Sequence, residues 1–291
     1  MLSKSANLHR ARAAKNDEFY TQYVDVKKEC DNYLSHFFNK IIYCNCDTAD
    51  SAFVKYFTEL KAAGKIRDVW FSGGIGGDDF RSAESVQKLN AADIVVTNPP
   101  FSLFREFMDL LVKYDKKFLI IGNKNIVANK KFFYLIYCNK LWLGFKPLGQ
   151  DFLFDVPNPE NLLYTRQKGY SYKIVNSTIK ARVAATWFTN LEHTNHNFLN
   201  LSKSYKGNEH KYPKYDNCDA INIDKVSDIP FDYYGAMGVP ITFVGKYNPK
   251  QFEMLGCDKD FTIDGKGVSI NGKNLYTRIL IRKKLAQIIQ I

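Results

Sequence analysis

Long apolar runs are missing from this sequence. No stretch approaches the roughly 20 consecutive apolar residues that a membrane-crossing helix needs, and the first residues are polar and basic where a secretory leader would be apolar. A cytoplasmic protein with no membrane association is expected. Paired cysteines are missing too. The six that occur, Cys30, Cys44, Cys46, Cys138, Cys218 and Cys257, are scattered and make no pair of CxxC motifs, so neither a zinc site nor a disulfide framework is expected. Cys44 and Cys46 alternate along an expected strand and read as reduced packing residues. His193 and His196 stand three apart without acidic or thiol companions, and a metal site needs three or four converging ligands; they read as members of a polar loop. The chain also lacks the acidic cluster with a lysine that a metal-dependent nuclease requires, a Lys-Ser/Thr ending for a phosphate loop, and any internal repeat. No metal is expected.

What is present is a core-forming, basic chain. Across 291 residues, 45% are hydrophobic and 15% aromatic, enough to bury one large domain or a catalytic domain with a smaller one appended. Lys and Arg number 41 against 30 Asp and Glu, and the net charge of +11 favours a polyanionic partner such as nucleic acid. Residues 1–16 are rich in Lys, Arg, Ala and Asn and read as a basic arm able to touch phosphates.

From there the pattern alternates. Asp25 to Phe38 has helical spacing, with Val26, Cys30, Leu34 and Phe37 or Phe38 on one face. Strands are expected at Ile41 to Cys44, Asp68 to Phe71, Ile94 to Thr97 and Phe118 to Ile121, and helices at Ser51 to Ala63, Ser82 to Asn90 and Leu103 to Tyr114. Such alternation implies an α/β fold, a doubly wound parallel sheet with right-handed crossovers. From about Leu141 onward Tyr, Asn, Lys, Gly and Pro become frequent, helices become scarce, and short strands such as Arg182 to Trp187 are expected.

The most informative stretch is Ile94-Val95-Val96-Thr97-Asn98-Pro99-Pro100-Phe101. Its β-branched run suits a buried parallel strand, and ligands in such folds bind at the carboxyl ends of strands. Two prolines stiffen the turn and remove two backbone donors. An adenine amino group offers two N–H donors; the Asn98 side-chain oxygen and the Pro99 carbonyl suit both, leaving the nitrogen lone pair aimed at an electrophile. Phe101 is placed to stack on the base. The plainer reading is a proline-stiffened turn with Phe101 in the core.

That turn does not stand alone. Asp17-Glu18-Phe19-Tyr20-Thr21-Gln22, Tyr43-Cys44-Asn45-Cys46-Asp47, Asp79-Phe80-Arg81-Ser82, Asn98-Pro99-Pro100-Phe101 with Ser102-Leu103-Phe104-Arg105, Lys117-Phe118-Leu119-Ile120-Ile121-Gly122-Asn123, Trp187-Phe188-Thr189-Asn190-Leu191 and Gly238-Val239-Pro240-Ile241-Thr242-Phe243 occur in this order. Together they resemble the EcoRI-type adenine-specific DNA methyltransferases over nearly the whole chain. The resemblance implies a Rossmann-like methyltransferase sheet with a strand- and loop-rich DNA-recognition part after it: a catalytic core over 17–195 and a recognition region over 196–291. It implies double-stranded DNA as partner and a restriction–modification type of enzyme, with pairing to a restriction endonuclease or action alone left open; a monomer is expected.

The cofactor implied is S-adenosyl-L-methionine. The Gly-rich turn that usually follows the first strand is absent, Cys44-Asn45-Cys46-Asp47-Thr48 standing in its place. By resemblance, Asp47 and its neighbours do that work, Phe19, Tyr20 and Thr21 belong to an N-terminal cofactor-contacting segment, and Asp79 and Phe80 lie at the cofactor adenine, the acid accepting from its amino group and the ring stacking on it. As packing alternatives, Phe19 and Tyr20 are core aromatics and Asp47 or Asp79 a helix cap. The chain departs from the family between Phe71 and Asp79, where only Ser72-Gly73-Gly74-Ile75-Gly76-Gly77-Asp78 replaces a longer connection. Four glycines in seven positions make a flexible linker, natural, engineered or marking residues absent from the chain. The acid expected after the second strand for the cofactor ribose is left unassigned.

The expected reaction is direct methyl transfer to a flipped-out adenine, with Asn98 and Pro99 orienting the amine. Lys203, Lys206, Lys211 and Lys214 interleave with Tyr205, Tyr212 and Tyr215 in a pattern suited to phosphate contacts and stacking, and Arg278, Arg282, Lys283 and Lys284 form a second basic segment. Asn-Pro-Pro-aromatic turns also serve enzymes that methylate RNA bases or protein glutamine, and a non-catalytic DNA-binding relative would keep the fold without the chemistry.

Overall fold

The computed structural model describes residues 21–72, 79–155, 171–193, 197–262 and 265–285. The basic arm, Phe19, Tyr20, His196 and Gly73 to Asp78 of the Gly-rich connection lie outside them.

Two compact units emerge, and the chain visits them out of sequence order: described residues up to Lys124 together with Leu143–His193 make the first, and Asn125–Trp142 with the residues from 197 onward make the second. In the first unit, helix α1 (Tyr23–Cys30) runs through a short 3-10 turn into α2 (Leu34–Phe37), followed by β1 (Ile41–Cys44), α3 (Ala52–Ala62), β2 (Asp68–Phe71), α4 (Ala83–Ala91), β3 (Ile94–Thr97), α5 (Phe104–Lys113) and β4 (Lys117–Asn123). The expected Asp25 to Phe38 helix is thus broken at Asp31–Tyr33, and Phe38 is 69% exposed while Phe37 is buried. Ser51 and Ser82 cap α3 and α4 by accepting from the backbone N–H three residues on, which satisfies a donor that the first helical turn cannot.

The central sheet has six strands in the order β2-β1-β3-β4-β9-β5, where β5 is Trp142–Leu143 and β9 is Ala185–Thr189. β1 to β4 pair in parallel and β9 joins β4 antiparallel, so the sheet is parallel-rich in a mixed α/β fold. Strands buried on both faces explain the near-continuous apolar runs. On one face Ile42, Cys44, Ile94, Val96, Leu119, Ile121 and Trp187 join Val26 and Cys30 of α1 and Phe53 and Phe57 of α3 in a single core. On the other, Phe104 of α5 lies against Phe188 with ring centroids 5.4 Å apart. Gly122 is required there, because a Cβ would approach the Phe104 ring to 2.2 Å.

Between β5 and β9 the first unit carries an inserted antiparallel sheet in the order β6-β8-β7: β6 (Phe152–Asp155), β7 (Ser171–Val175) and β8 (Thr178–Val183). Its position follows from register. β9 starts with Ala185 opposite Asn123, the last residue of β4, so the insert joins the central sheet at the edge where the parallel strands end. The single strand expected at Arg182 to Trp187 is instead two strands broken at Ala184, whose carbonyl accepts from Lys124 N. Phe152, Phe154, Ala181 and Val183 face the main core, which seats the insert on it.

The second unit contains α6 (Lys130–Tyr137), the four-stranded sheet β10-β11-β15-β12 (Ile221–Asn222, Met237–Pro240, Arg278–Lys283 and Phe252–Cys257) and the hairpin β13–β14 (Ser269–Ile270, Lys273–Asn274). Among the described residues after Leu141, helical structure is confined to short 3-10 turns. Tyr212 and Tyr215 are buried, the Tyr215 hydroxyl donating to Asn222 Oδ1 at 2.9 Å. They are therefore unavailable as surface stacking platforms, although Lys203, Lys206, Lys211 and Lys214 around them are exposed. No described helix is long and apolar enough to cross a membrane.

Candidate active site

The site is built on the carboxyl ends of β1 and β3, adjacent parallel strands. Asp47, three residues beyond β1, folds under the turn that follows β3. Its carboxylate is 8% exposed and accepts from the Thr97 hydroxyl at 2.5 Å. It also takes hydrogen bonds from the Ser51 hydroxyl and the Asn98 backbone N–H. Burial, the largest influence, pushes its pKa up to about 7 in spite of these three donors. Thr97 Oγ1 in turn accepts from Cys46 N at 3.2 Å, which ties the two strand ends together. Asp47 is thus a brace for the Asn98 turn, and Ser51, not Asp47, caps α3.

Asn98 is half-buried on that brace, Pro99 buried, and Pro100 and Phe101 half-buried, with Phe101 resting on the edge of the main core. The Pro100 carbonyl accepts from Leu103 N at 2.9 Å as the chain turns into α5. The Pro99 carbonyl has no such bond among the described residues. Asn98 Nδ2 donates to Thr21 Oγ1 at 3.3 Å, so the structure brings Thr21 beside the turn.

Asp79 and Phe80 stand at the start of the segment leading into α4. The Asp79 carboxylate accepts from Arg81 N and Nε at 3.0 and 2.8 Å and makes an ion pair with the same guanidinium. Its charge reaches the first strand end, where it helps raise the Cys46 thiol pKa, for which burial is the main cause. Phe80 is 5% exposed and lies edge-on to Phe107 of α5, ring centroids 5.2 Å apart. Ser72, the first residue of the Gly-rich connection, donates to the Asn45 carbonyl.

Three groups at this edge were not singled out in the sequence. Thr97 and Asn45 are polar residues at strand ends, where polar side chains in a buried run are themselves the signal. Asn45 is 1% exposed and its Nδ2 is a buried donor with no partner among the described residues. Lys124, at the end of β4, donates to the Leu148 carbonyl at 3.3 Å and pairs with Asp151, which also pairs with Arg182 of β8 at 2.7 Å; it holds the insert at the site edge. His193 lies in the loop after β9, half-buried, with its Nε2 2.8 Å from the Leu143 carbonyl and its ring packed against Tyr33 and Phe145. The described residues contain no group of three or more His, Cys, Asp or Glu arranged to hold a metal, and all six cysteines are free thiols.

The model of the family described as "Adenine-specific methyltransferase EcoRI" matches residues 7–67 and 59–284. The chain belongs to this family. It is 44% identical to the Type II methyltransferase M.EcoRI of Escherichia coli over 96% of this chain and 97% of that protein. It is 36% identical to M.MgeORF184P of Mycoplasma genitalium and 34% identical to M.MpnI of Mycoplasma pneumoniae, both also named Type II methyltransferases, over 96% and 95% of this chain and 99% and 98% of theirs. The alignment with the Escherichia coli relative runs over 322 positions, more than the 291 residues here, so that relative carries residues without counterpart in this chain. No solved structure matches. This EcoRI-family adenine-specific methyltransferase carries Asn98-Pro99-Pro100-Phe101 on the braced turn at the end of β3, beside the ends of β1 and β4.

Proposed function

We propose that this methyltransferase transfers the methyl group of S-adenosyl-L-methionine to the exocyclic N6 of an adenine in duplex DNA, after the base has been turned out of the helix. The observation that carries this reading is the placement of Asn98. Its amide and the Pro99 carbonyl stand at a parallel-strand end, on a turn held from below by the buried Asp47. Two acceptors on a stiff turn suit an amine with two N–H donors, and holding it there aims the nitrogen lone pair away from the turn. Phe101, half-buried at the edge of the core, offers a ring to a base removed from its stack.

The residues at the ends of β1 and β3 fit the proposed cofactor. The unsatisfied, buried Asn45 amide calls for an acceptor such as a carboxylate or a ribose hydroxyl. When bound, the cofactor supplies a sulfonium methyl, an electrophile that needs neither a metal nor a covalent intermediate on the protein. Asp47, Asp79, Phe80 and Thr21 are the described residues assigned to its site in this reading; Phe19 and Tyr20, also implied, lie outside the described residues. The chain's own contribution to rate is alignment and fixed dipoles.

Residues 196–291 are the proposed DNA-recognition region. The exposed Lys203, Lys206, Lys211 and Lys214 are suited to phosphate contacts, whereas Arg278 is 12% exposed and paired with Asp224. The rest of the proposal is a cytoplasmic monomer serving as the modification partner of a restriction enzyme. Transfer of labelled methyl groups to duplex DNA, RNA and a glutamine-containing peptide, offered separately, tests the acceptor class. Label confined to duplex DNA is expected; label in RNA or peptide alone refutes it.

A further inference from the structure

An amide side chain has a donor end and an acceptor end, and whichever neighbour takes the NH2 group turns the carbonyl oxygen the other way. In the proposed reaction the oxygen of Asn98 must face the target amine; a reversed amide would set donor against donor. What decides the orientation is therefore what accepts from Asn98 Nδ2, and Thr21 does so, its Oγ1 accepting from it at 3.3 Å. We infer that Thr21 is a positioning residue for methyl transfer, taking the donor end of the Asn98 amide so that its oxygen is presented to the amine.

Thr21 can do this only if it is itself held, because it lies outside the central sheet. It precedes α1, and α1 is tied to the insert at both ends. Gln22, the extended N-cap residue at φ −71° and ψ 140°, accepts on Oε1 from Lys180 Nζ of β8 at 3.3 Å. At the far end Glu29, 3% exposed, accepts the backbone N–H of Phe145 at 2.6 Å and of Lys146 at 3.0 Å, where the insert begins. Gly144 is needed at that contact, since a Cβ would come within 2.2 Å of Glu29 Oε1. A series of contacts thus runs from the inserted sheet through α1 and Thr21 to the Asn98 amide, all within one unit.

The inference rests on the reading of Asn98 as the amine acceptor, and the test separates the two. Thr21→Val keeps the shape and removes the hydroxyl; Thr21→Ser keeps the hydroxyl. Single-turnover rates on duplex DNA, the KM for DNA and the calorimetric Kd for S-adenosyl-L-methionine are measured for both, with Asn98→Ala as reference. Loss of one neutral hydrogen bond in the reacting arrangement predicts a roughly 5- to 10-fold lower rate at saturating cofactor for Thr21→Val, with DNA KM unchanged and Thr21→Ser close to wild type. A weakened cofactor Kd with an unchanged rate overturns the inference and makes Thr21 a cofactor contact only. A wild-type rate for Thr21→Val beside an inactive Asn98→Ala overturns the inference and leaves the reading of Asn98 standing. An active Asn98→Ala removes both.

Discussion

Replacing Asp47 with Asn tests how the Asn98 turn is held. The folded carboxyl has its pKa pushed up to about 7, burial being the main cause, against an ordinary value of 3.8. An acid raised in this way keeps its proton in the folded chain over a range where the unfolded chain has already released it. Its contribution to stability is therefore greatest below pH 3.8 and is lost as pH rises to about 7. At about 1.4 kcal/mol per pH unit, the loss attributable to Asp47 is at most about 4 kcal/mol, an upper bound because water entry and relaxation reduce it. Glu29, raised to about 7 by burial, acts with the same sign. Asp68, lowered by its bond to Lys61, and Asp216, lowered by the Gly272 N–H, act oppositely and only at lower pH. Asn at position 47 has no proton to lose. The unfolding free energy of Asp47→Asn minus that of wild type should become more positive from about pH 5 to about pH 7.5, by roughly 1–3 kcal/mol. Urea unfolding followed by the fluorescence of Trp187, buried in the same unit, reads this difference. Parallel pH profiles for the two proteins would show that Asp47 is not a buried, proton-holding brace.

Two further outcomes follow from the proposed site and partner. Asp79→Ala should weaken S-adenosyl-L-methionine binding more than DNA binding, measured calorimetrically for each ligand; an unchanged cofactor affinity returns Asp79 to a turn residue paired with Arg81. Affinity for duplex DNA should fall linearly with salt on logarithmic axes as lysines displace condensed counterions, and a flat dependence would mean that the exposed lysines do not face DNA.

Much of the first unit was legible because its strands are short β-branched or aromatic runs and two of its helices, α3 and α4, carry serine caps. Ile41–Cys44, Asp68–Phe71 and Ile94–Thr97 fall where the sequence places them, and α3, α4 and α5 differ at their ends by a residue or so. What was not legible depends on contacts distant in sequence. The β6-β8-β7 insert is specified by Phe152, Phe154, Ala181 and Val183 meeting the main core, a pairing no local period reveals. The passage of Asn125–Trp142 into the second unit, with α6 in it, is likewise invisible locally. Tyr212 and Tyr215 read as surface residues because lysines flank them, yet burial is decided by partners such as Asn222. At the site, the Asn98 turn and Asp47 were recognisable, but the brace between them depends on Thr97, an apparently ordinary strand residue whose hydroxyl both donates to Asp47 and accepts from Cys46.

The measurement that bears most directly on the central claim is single-turnover transfer of a labelled methyl group to duplex DNA by wild type and Asn98→Ala, with the DNA digested to nucleosides. Label in N6-methyl-2′-deoxyadenosine is expected for wild type, and transfer slowed on the order of 100-fold or more in the variant with cofactor binding retained. Transfer by Asn98→Ala near the wild-type rate, or wild-type label in another nucleoside, would contradict that claim.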